Sequence, residues 1–567
     1  MTTVAPPDDR SAEHSEWWRG AVVYQIYPRS FADGDGDGVG DLPGITRRLP
    51  ALVDLGVDAV WLSPFYRSPQ ADAGYDVADH CDVDPLFGSL DDFDSMLDTA
   101  HRLGLKLIID LVPNHSSDEH AWFRSALAAP SSSPERSRYL FRDGKGPDGS
   151  LPPNNWPSVF GGPAWTRIVE SDGTPGQWYL HLFDTKQPDF DWTNQEVRQE
   201  FVRVLRFWLD RGADGFRVDV AHGLVKADGL PDLTPQNGAA ETAAAFTATT
   251  GDGDAIVQSL APSPIWDQDG VHEIYREWRK VLDEYPGDRM MVAEAWVSPL
   301  SRLARYLTAD EMQQAFNFDY LSAPWDDSAI RTVVDSSLEI NASVGAPTTW
   351  VLSNHDVVRH ASRFGLPDLT VRPNGIGTQD EQPDPVLGLR RARAATVLML
   401  GLPGSAYLYQ GEELGLPEHT ALDDDLRQDP TWVRSGHIHR GRDGCRVPIP
   451  WESSAPGLGF GPTGRTWLPQ PDSYAALARD RQAGVSGSTL ELYRAALGLR
   501  RRHSLGLGEL TWLDSPDGVV AYRNSAVTVI ANVGSAPLPL PAAEVLLSSG
   551  PVTDGRLPPD TTVWLAQ

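Results

Sequence analysis

The chain has 567 residues, 41% of them hydrophobic and 22% charged, which is the composition of a globular protein with a sizeable core. Acidic residues outnumber basic ones 78 to 48, for a net charge of −30. A surface that negative repels phosphate backbones and anionic lipid heads, which argues against nucleic-acid and membrane partners. No apolar run approaches the ~20 residues that a membrane span needs, and the first residues have neither the basic nor the apolar region of a secretory signal. Only two cysteines occur, Cys81 and Cys445, without metal-ligand spacing. A disulfide framework and a cysteine zinc site are excluded, and the expected compartment is the cytoplasm.

Residues 1–16 are polar, acidic and aperiodic, and are expected to form a disordered leader. From Trp17 short β-branched runs alternate with amphipathic stretches. Strands are expected at 22–27, 58–62 and 106–110, with helices over 45–55 and 91–103 between them. Apolar runs buried on both faces and joined by helices predict parallel βα units. Residues 113–193, rich in Pro, Ser, Gly, Asn and Trp, break this rhythm for too long to be a structureless loop and predict an inserted subdomain. The rhythm resumes at Asn194, a helix cap ahead of a stripe of Val197, Phe201, Leu205 and Trp208. Further strands are expected at 214–219, 290–293, 315–318, 349–352 and 405–408, and long loops at 223–264 and 365–386. Eight strands predict a (β/α)8 barrel over 17–112 and 194–505, interrupted after its third strand. Short alternating runs over 506–567 predict a C-terminal antiparallel β domain.

In such barrels the reacting groups sit at the C-terminal ends of the strands. Asp110 ends the third strand, with Asn114 and His115 just beyond it. Arg217 and Asp219 end the fourth and, by strand alternation, face the same way. Glu294 follows the fifth, and Asn354, His355 and Asp356 follow the seventh. Any one of these residues is equally well read as an ion-paired, hydrogen-bonding or capping group. Their convergence on one rim from four strands favours a site. Paired carboxylates there suit glycosidic-bond chemistry, in which one protonates the leaving oxygen and the other attacks or stabilises the anomeric carbon. The Arg217 guanidinium is expected to keep Asp219 ionised, as a nucleophile requires. The apolar neighbours Ala293, Ala295 and Trp296 are expected to favour the protonated form of Glu294, as a proton donor requires. The 19 Trp, 15 Tyr and 17 Phe add aromatic faces that suit sugar rings.

Four segments together carry a specific resemblance: Asp110-Leu111-Val112-Pro113-Asn114-His115, Gly215-Phe216-Arg217-Val218-Asp219, Glu294-Ala295-Trp296 and Asn354-His355-Asp356. In order and spacing they resemble the signature regions of the α-amylase superfamily of glycoside hydrolases. Gln187-Pro188-Asp189-Phe190-Asp191-Trp192 is similar to a fifth region, in the form found in α-glucosidases and oligo-1,6-glucosidases. The resemblance covers roughly residues 17 to 567. It implies that Asp219 is the nucleophile, Glu294 the general acid/base, and Asp356 the carboxylate that grips sugar hydroxyls. It further implies that Arg217, His115 and His355 bind the sugar in the −1 subsite, with Tyr75 as an aromatic platform and Phe183 as a wall. Asp72 and an arginine of the 440–446 stretch, Arg442 in preference to Arg440 or Arg446, resemble the ion pair that closes the pocket behind a non-reducing glucose. The implied activity is that of a retaining, exo-acting α-glucosidase working on short oligosaccharides, with transglucosylation beside hydrolysis. The alternatives are an oligo-1,6-glucosidase, a transglucosylase or isomerase of the trehalose- or isomaltulose-synthase type, and a non-enzymatic relative that escorts a transporter. The last is disfavoured by the retention of all three carboxylates.

The run Asp33-Gly34-Asp35-Gly36-Asp37-Gly38-Val39-Gly40-Asp41 alternates carboxylates with glycines. As a pattern it reads equally as a solvated acidic turn or as an EF-hand-like calcium loop. The resemblance favours a structural calcium ion, held by Asp33, Asp35, Asp37, Asp41 and the Val39 carbonyl. Phe190-Asp191 departs from the Leu-Asn common in this branch. Val220, after the nucleophile, occurs with α-1,6 preference in related enzymes, but Ala221-His222-Gly223 departs from their usual continuation, so the linkage preference stays open.

Overall fold

A computed structural model describes residues 16–234 and 263–567. Most of the expected leader and much of the expected 223–264 loop lie outside the described residues. Eight parallel strands make one sheet: β1 (Val22–Ile26), β2 (Ala59–Leu62), β3 (Lys106–Leu111), β4 (Gly215–Val218), β5 (Met290–Ala293), β6 (Gln314–Ala315), β7 (Thr349–Val351) and β8 (Ser405–Tyr409). Their order is β6-β5-β4-β3-β2-β1-β8-β7, so the first strand pairs with the last and the sheet curls into a nearly closed barrel. Strand alternation divides the side chains. Val22, Tyr24 and Ile26 of β1, and Leu107, Ile109 and Leu111 of β3, pack outward against the helices. Val23, Ala59, Trp61, Ile108, Met290, Val292, Val351 and Tyr407 fill the interior, with Trp18 and Ala21 in the same cluster. Gln25, Asp110 and Arg217 lie two positions further along the interior faces of β1, β3 and β4, on the way to the barrel mouth.

Helix starts follow their caps. The helix α1 (Leu42–Leu55) begins three residues before the expected 45 because Asp41 accepts the Gly44 N–H at 2.6 Å. A capping box of Ser89 and Asp92 opens α2 (Leu90–Arg102). Asn194 opens α3 (Gln195–Arg211), whose buried Val197, Phe201, Leu205 and Trp208 face the sheet. The sixth strand corrects the expected 315–318. Only Gln314–Ala315 pairs, since Asn317 accepts the Tyr320 N–H at 2.9 Å and turns Phe318–Ser322 into a helix.

Between β3 and α3 lies a helix, Ala121–Ala128, and a three-stranded antiparallel sheet of Phe141–Arg142, Trp165–Val169 and Pro175–Leu180. This part has its own apolar cluster around Trp156, Phe160, Trp165, Leu182 and Phe183, which Val220 of the barrel joins. At the other end, β9 (Leu510–Trp512), β10 (Val519–Asn524), β11 (Val527–Asn532), β12 (Val545–Ser548) and β13 (Thr561–Ala566) form an antiparallel sheet. It docks on α4 (Pro385–Leu400), where Thr562 and Trp564 donate to the Ala394 and Val397 carbonyls at 2.8 and 3.0 Å. Both cysteines are unpaired. Among the described residues no helix is long and apolar enough to cross a membrane.

Candidate active site

Register brings the first charged layer together. Asp110 of β3 lies beside Arg217 of β4, and Arg217 beside Val292 of β5, so Asp219 and Glu294 emerge next to each other just past the paired residues. The buried Arg217 guanidinium touches three carboxylates: Asp110 Oδ1 at 2.8 Å, Asp219 Oδ1 at 2.5 Å and Glu294 Oε2 at 2.9 Å. One cation among three buried carboxylates leaves excess negative charge. Burial first, and then the Glu294 and Asp110 charges, push the Asp219 carboxyl up against the pull of Arg217. Arg217 favours the ionised form of Asp219, as expected, but shares its charge among three carboxylates. Burial likewise pushes Asp110 up to about 7, although Arg217 opposes the shift and Trp61 donates to its Oδ2 at 3.1 Å.

Glu294 is oriented through one oxygen. Its Oε2 accepts from the Val220 N–H and from Arg217, both at 2.9 Å, which leaves Oε1 for a reacting group. Val220 reaches it with φ of +45°, a left-handed conformation that strains a β-branched residue by roughly 1–3 kcal/mol.

A second charged cluster faces the first. Asp356 Oδ1 accepts from Arg446 at 2.9 Å and Arg442 at 3.1 Å, and its Oδ2 lies 3.2 Å from His355 Nε2. Burial would raise Asp356, but the positive surroundings outweigh it and hold the carboxyl below the usual range. Among the groups that lower Asp356, His355 comes first and then Arg442 and Arg446, while burial pushes His355 itself well down. The arginine on Asp72 is Arg442, at 2.8 Å, whereas Arg440 pairs with Asp424 and Asp380. Burial pushes Asp72 up to about 6 despite Arg442. Tyr75 lies within 5° of coplanar with His355, and its hydroxyl is 2.5 Å from His355 Nε2. Burial pushes His115 down to about 4, and its ring centroid lies 5.1 Å from that of Phe183. The Tyr75, His115, His355, Asp72 and Arg442 side chains thus join Asp219, Glu294 and Asp356 in one continuous set of contacts.

Several residues of this network were not singled out from the sequence. Gln187, noted only as a mark of the fifth region, donates to Asp72 Oδ2 at 3.1 Å and lies 3.1 Å from His115 Nε2. Gln25 lies 2.7 Å from His355 Nδ1, and Asp429 accepts from Arg442 Nε at 2.6 Å. Buried Lys226 reaches Asp189 Oδ2 and Asn114 Oδ1, each at 2.9 Å, and also the Gly223 carbonyl. The only advance signal for Lys226 is its closeness in sequence to the second signature segment, and for Gln187 its place at the start of the fifth.

In the acidic loop, one carboxylate oxygen from each of Asp33, Asp35 and Asp37 lies within 4.8 Å of the others. That crowding suits a hard cation. Burial pushes Asp33 up, and the Asp37 and Asp35 charges add to the shift. Asp41 is engaged differently from the expected set. Its Oδ1 caps α1, and its Oδ2 accepts the Gly34 and Asp35 N–H groups at 2.8 and 3.1 Å. Val39 donates its N–H to Asp37 at 2.7 Å.

Comparison with known proteins gives the family. The family model "Alpha amylase, catalytic domain" matches residues 25–507. A probable alpha-glucosidase of Rhizobium meliloti (strain 1021) is 39% identical over 518 residues, covering 90% of this chain and 87% of its own. An oligo-1,6-glucosidase of Parageobacillus thermoglucosidasius is 34% identical, covering 88% and 87%. Among solved structures, the alpha-glucosyl transfer enzyme XgtA superposes with a TM-score of 0.82 at 37% identity, covering 97% of this chain and 99% of its own. The trehalulose synthase of Pseudomonas mesoacidophila MX-45 gives 0.80 at 29%, covering 98% and 100%. The chain belongs to the α-amylase family and is a glycoside hydrolase of that family.

Proposed function

We propose that the protein is a retaining, exo-acting α-glucosidase that releases α-glucose from the non-reducing ends of short α-glucosides. The observation that carries this reading is the Arg442 bridge between Asp72 and Asp356, at 2.8 and 3.1 Å, which would close the site behind a sugar held at Asp219 and Glu294. A cleft closed in this way takes chain ends only. Asp219 attacks the anomeric carbon while the Glu294 carboxyl, pinned through Oε2, donates a proton from Oε1 to the leaving oxygen. Glu294 then takes a proton from water, which displaces Asp219 from the same face that the leaving group left. Retention requires the two carboxyl groups to be ~5–5.5 Å apart, with no water between them. Asp356, held ionised by Arg442 and Arg446, grips the ring hydroxyls. When an acceptor sugar replaces that water, glucose is transferred. Likeness to the transfer enzyme supports this as a side reaction, and likeness to the trehalulose synthase supports the isomerase reading as the second candidate.

NMR of the first product should show α-glucose, and maltotetraose should yield glucose as the only initial product. A first product of β-glucose would remove Asp219 as nucleophile, and a rapid fall in starch viscosity would contradict the closed pocket. The same reading assigns a structural calcium ion to Asp33, Asp35 and Asp37, supported by their converging oxygens. The two unpaired thiols support a reducing compartment, in keeping with the cytoplasm.

A further inference from the structure

Asp429 lies outside every sequence motif, yet it is fully buried against Arg442. Its Oδ2 accepts the Arg442 Nε at 2.6 Å and the Arg442 backbone N–H at 2.7 Å, and its Oδ1 accepts Nη2 at 3.2 Å. Asp443 in turn accepts the backbone N–H groups of Gln428 and Asp429, at 2.9 and 3.0 Å, which fixes the turn that carries Asp429. The preceding Gly441 has φ of +72°, and a Cβ there would lie 2.7 Å from the Asp429 carboxyl carbon. Only glycine leaves room for this approach. A guanidinium is a rigid planar fork, so one held along its Nε side has its two outer nitrogens aimed in fixed directions. In Arg442 those directions are Asp356 for Nη1 and Asp72 for Nη2.

We propose that Asp429 is a positioning residue for recognition of the non-reducing end: it holds Arg442 through Nε so that one guanidinium reaches Asp356 and Asp72 together and presents this wall to the sugar hydroxyl at C4. C4 lies across the ring from the anomeric carbon, so its hydroxyl is the one that meets a wall opposite the reacting carboxylates. Without Asp429, Arg442 is free to turn and pair bidentately with a single carboxylate. The groups facing it are Asp72, Asp356, Arg446 and the Phe160 ring, whose centroid lies 5.0 Å from the guanidinium carbon. The proposal rests on the glucosidase reading and adds a residue to it.

The test compares kcat/KM on p-nitrophenyl α-glucoside and its 4-deoxy analogue, using full-length enzyme. Wild type should favour the parent by at least about tenfold, the scale of one well-made polar contact. Asp429→Asn should bring the ratio close to one, chiefly by losing rate on the parent. An unchanged ratio, with both substrates slowed alike, would mean a purely structural role and overturn the proposal, as would a wild-type ratio near one. If Asp429→Asn does not fold, Asp429→Glu gives the same comparison with the charge kept but displaced. A crystal structure of wild type with glucose gives a reading independent of both variants, and Arg442 detached from Asp429 there also overturns the proposal. A wild type that turns over neither glucoside would refute the glucosidase reading itself.

Discussion

Asp72 is held 2.8 Å from Arg442 and still has its carboxyl pushed up to about 6 by burial. Its ordinary value is 3.8, so the native state binds this proton more tightly than the unfolded chain does. The associated stability is present below about pH 4 and is lost as the pH rises through about 6. Two pKa units correspond to about 3 kcal/mol, the approximate cost of keeping Asp72 charged in the folded state at pH 7. Removing that charge does not orphan Arg442, which keeps Asp429 and Asp356. Asp72→Asn should therefore retain or raise the melting temperature at pH 7, with the gap to wild type closing toward pH 4. Turnover of maltose should fall by orders of magnitude. A melting temperature that drops along with activity would show instead that Asp72 is needed for folding. Protonation of Asp72 also predicts that wild-type activity on α-glucosides fades below about pH 6. Among these residues Asp72 and Arg442 were legible in the sequence through family resemblance. Asp429 and Gln25 were not, because a buried carboxylate that orients an arginine, or an amide beside a histidine, leaves no local pattern.

The loop from Asp33 to Asp41 and the helix α1 that follows it divide their carboxylates between two tasks. Asp33, Asp35 and Asp37 crowd together, whereas Asp41 satisfies the open N–H groups at the start of α1. An N-cap of this kind contributes about 0.5–2 kcal/mol. A calcium ion bound to the native state alone adds about 2.7 kcal/mol at a hundredfold excess over Kd. Chelation should therefore lower the melting temperature of wild type, and Asp35→Ala should abolish the difference between chelator and excess calcium. Asp41→Ala should lower the melting temperature even with chelator present, since the cap is lost whether or not the ion is bound. Equal melting curves for wild type in chelator and in calcium would remove the calcium assignment. At this scale alternation and caps made most barrel strands legible. The short sixth strand was misjudged because the apolar Phe316 and Phe318 mimic a strand, while the Asn317 cap between them ends it.

Across the whole molecule, what the sequence could not show is how distant segments meet. The Arg442 and Asp72 partners are 370 residues apart, and no periodicity records such a contact. The same holds for Lys226, which lies in the loop after β4 and pairs with Asp189 of the inserted segment while hydrogen bonding Asn114 after β3. Both charged side chains are almost wholly buried, at 3% and 0% exposure, so neither has water to replace its partner. Burial pulls the Lys226 ammonium down, and Asp189 opposes that shift. Loss of one member strands the other, at a cost of about 3–5 kcal/mol, whereas replacing both by neutral residues of similar size is often close to neutral. Lys226→Met should consequently lower the melting temperature by several degrees and weaken activity, because Asn114 and Asp189 position His115 and the Gln187 segment. The double variant Lys226→Met with Asp189→Asn should recover much of that stability, giving a large coupling energy in a double-mutant cycle. Simple addition of the two single effects would show that the pair does not join the inserted segment to the barrel as a unit. The segment that carries Phe183 and Gln187 would then depend for its place on the apolar cluster around Trp156 and Trp165, which Phe183 joins.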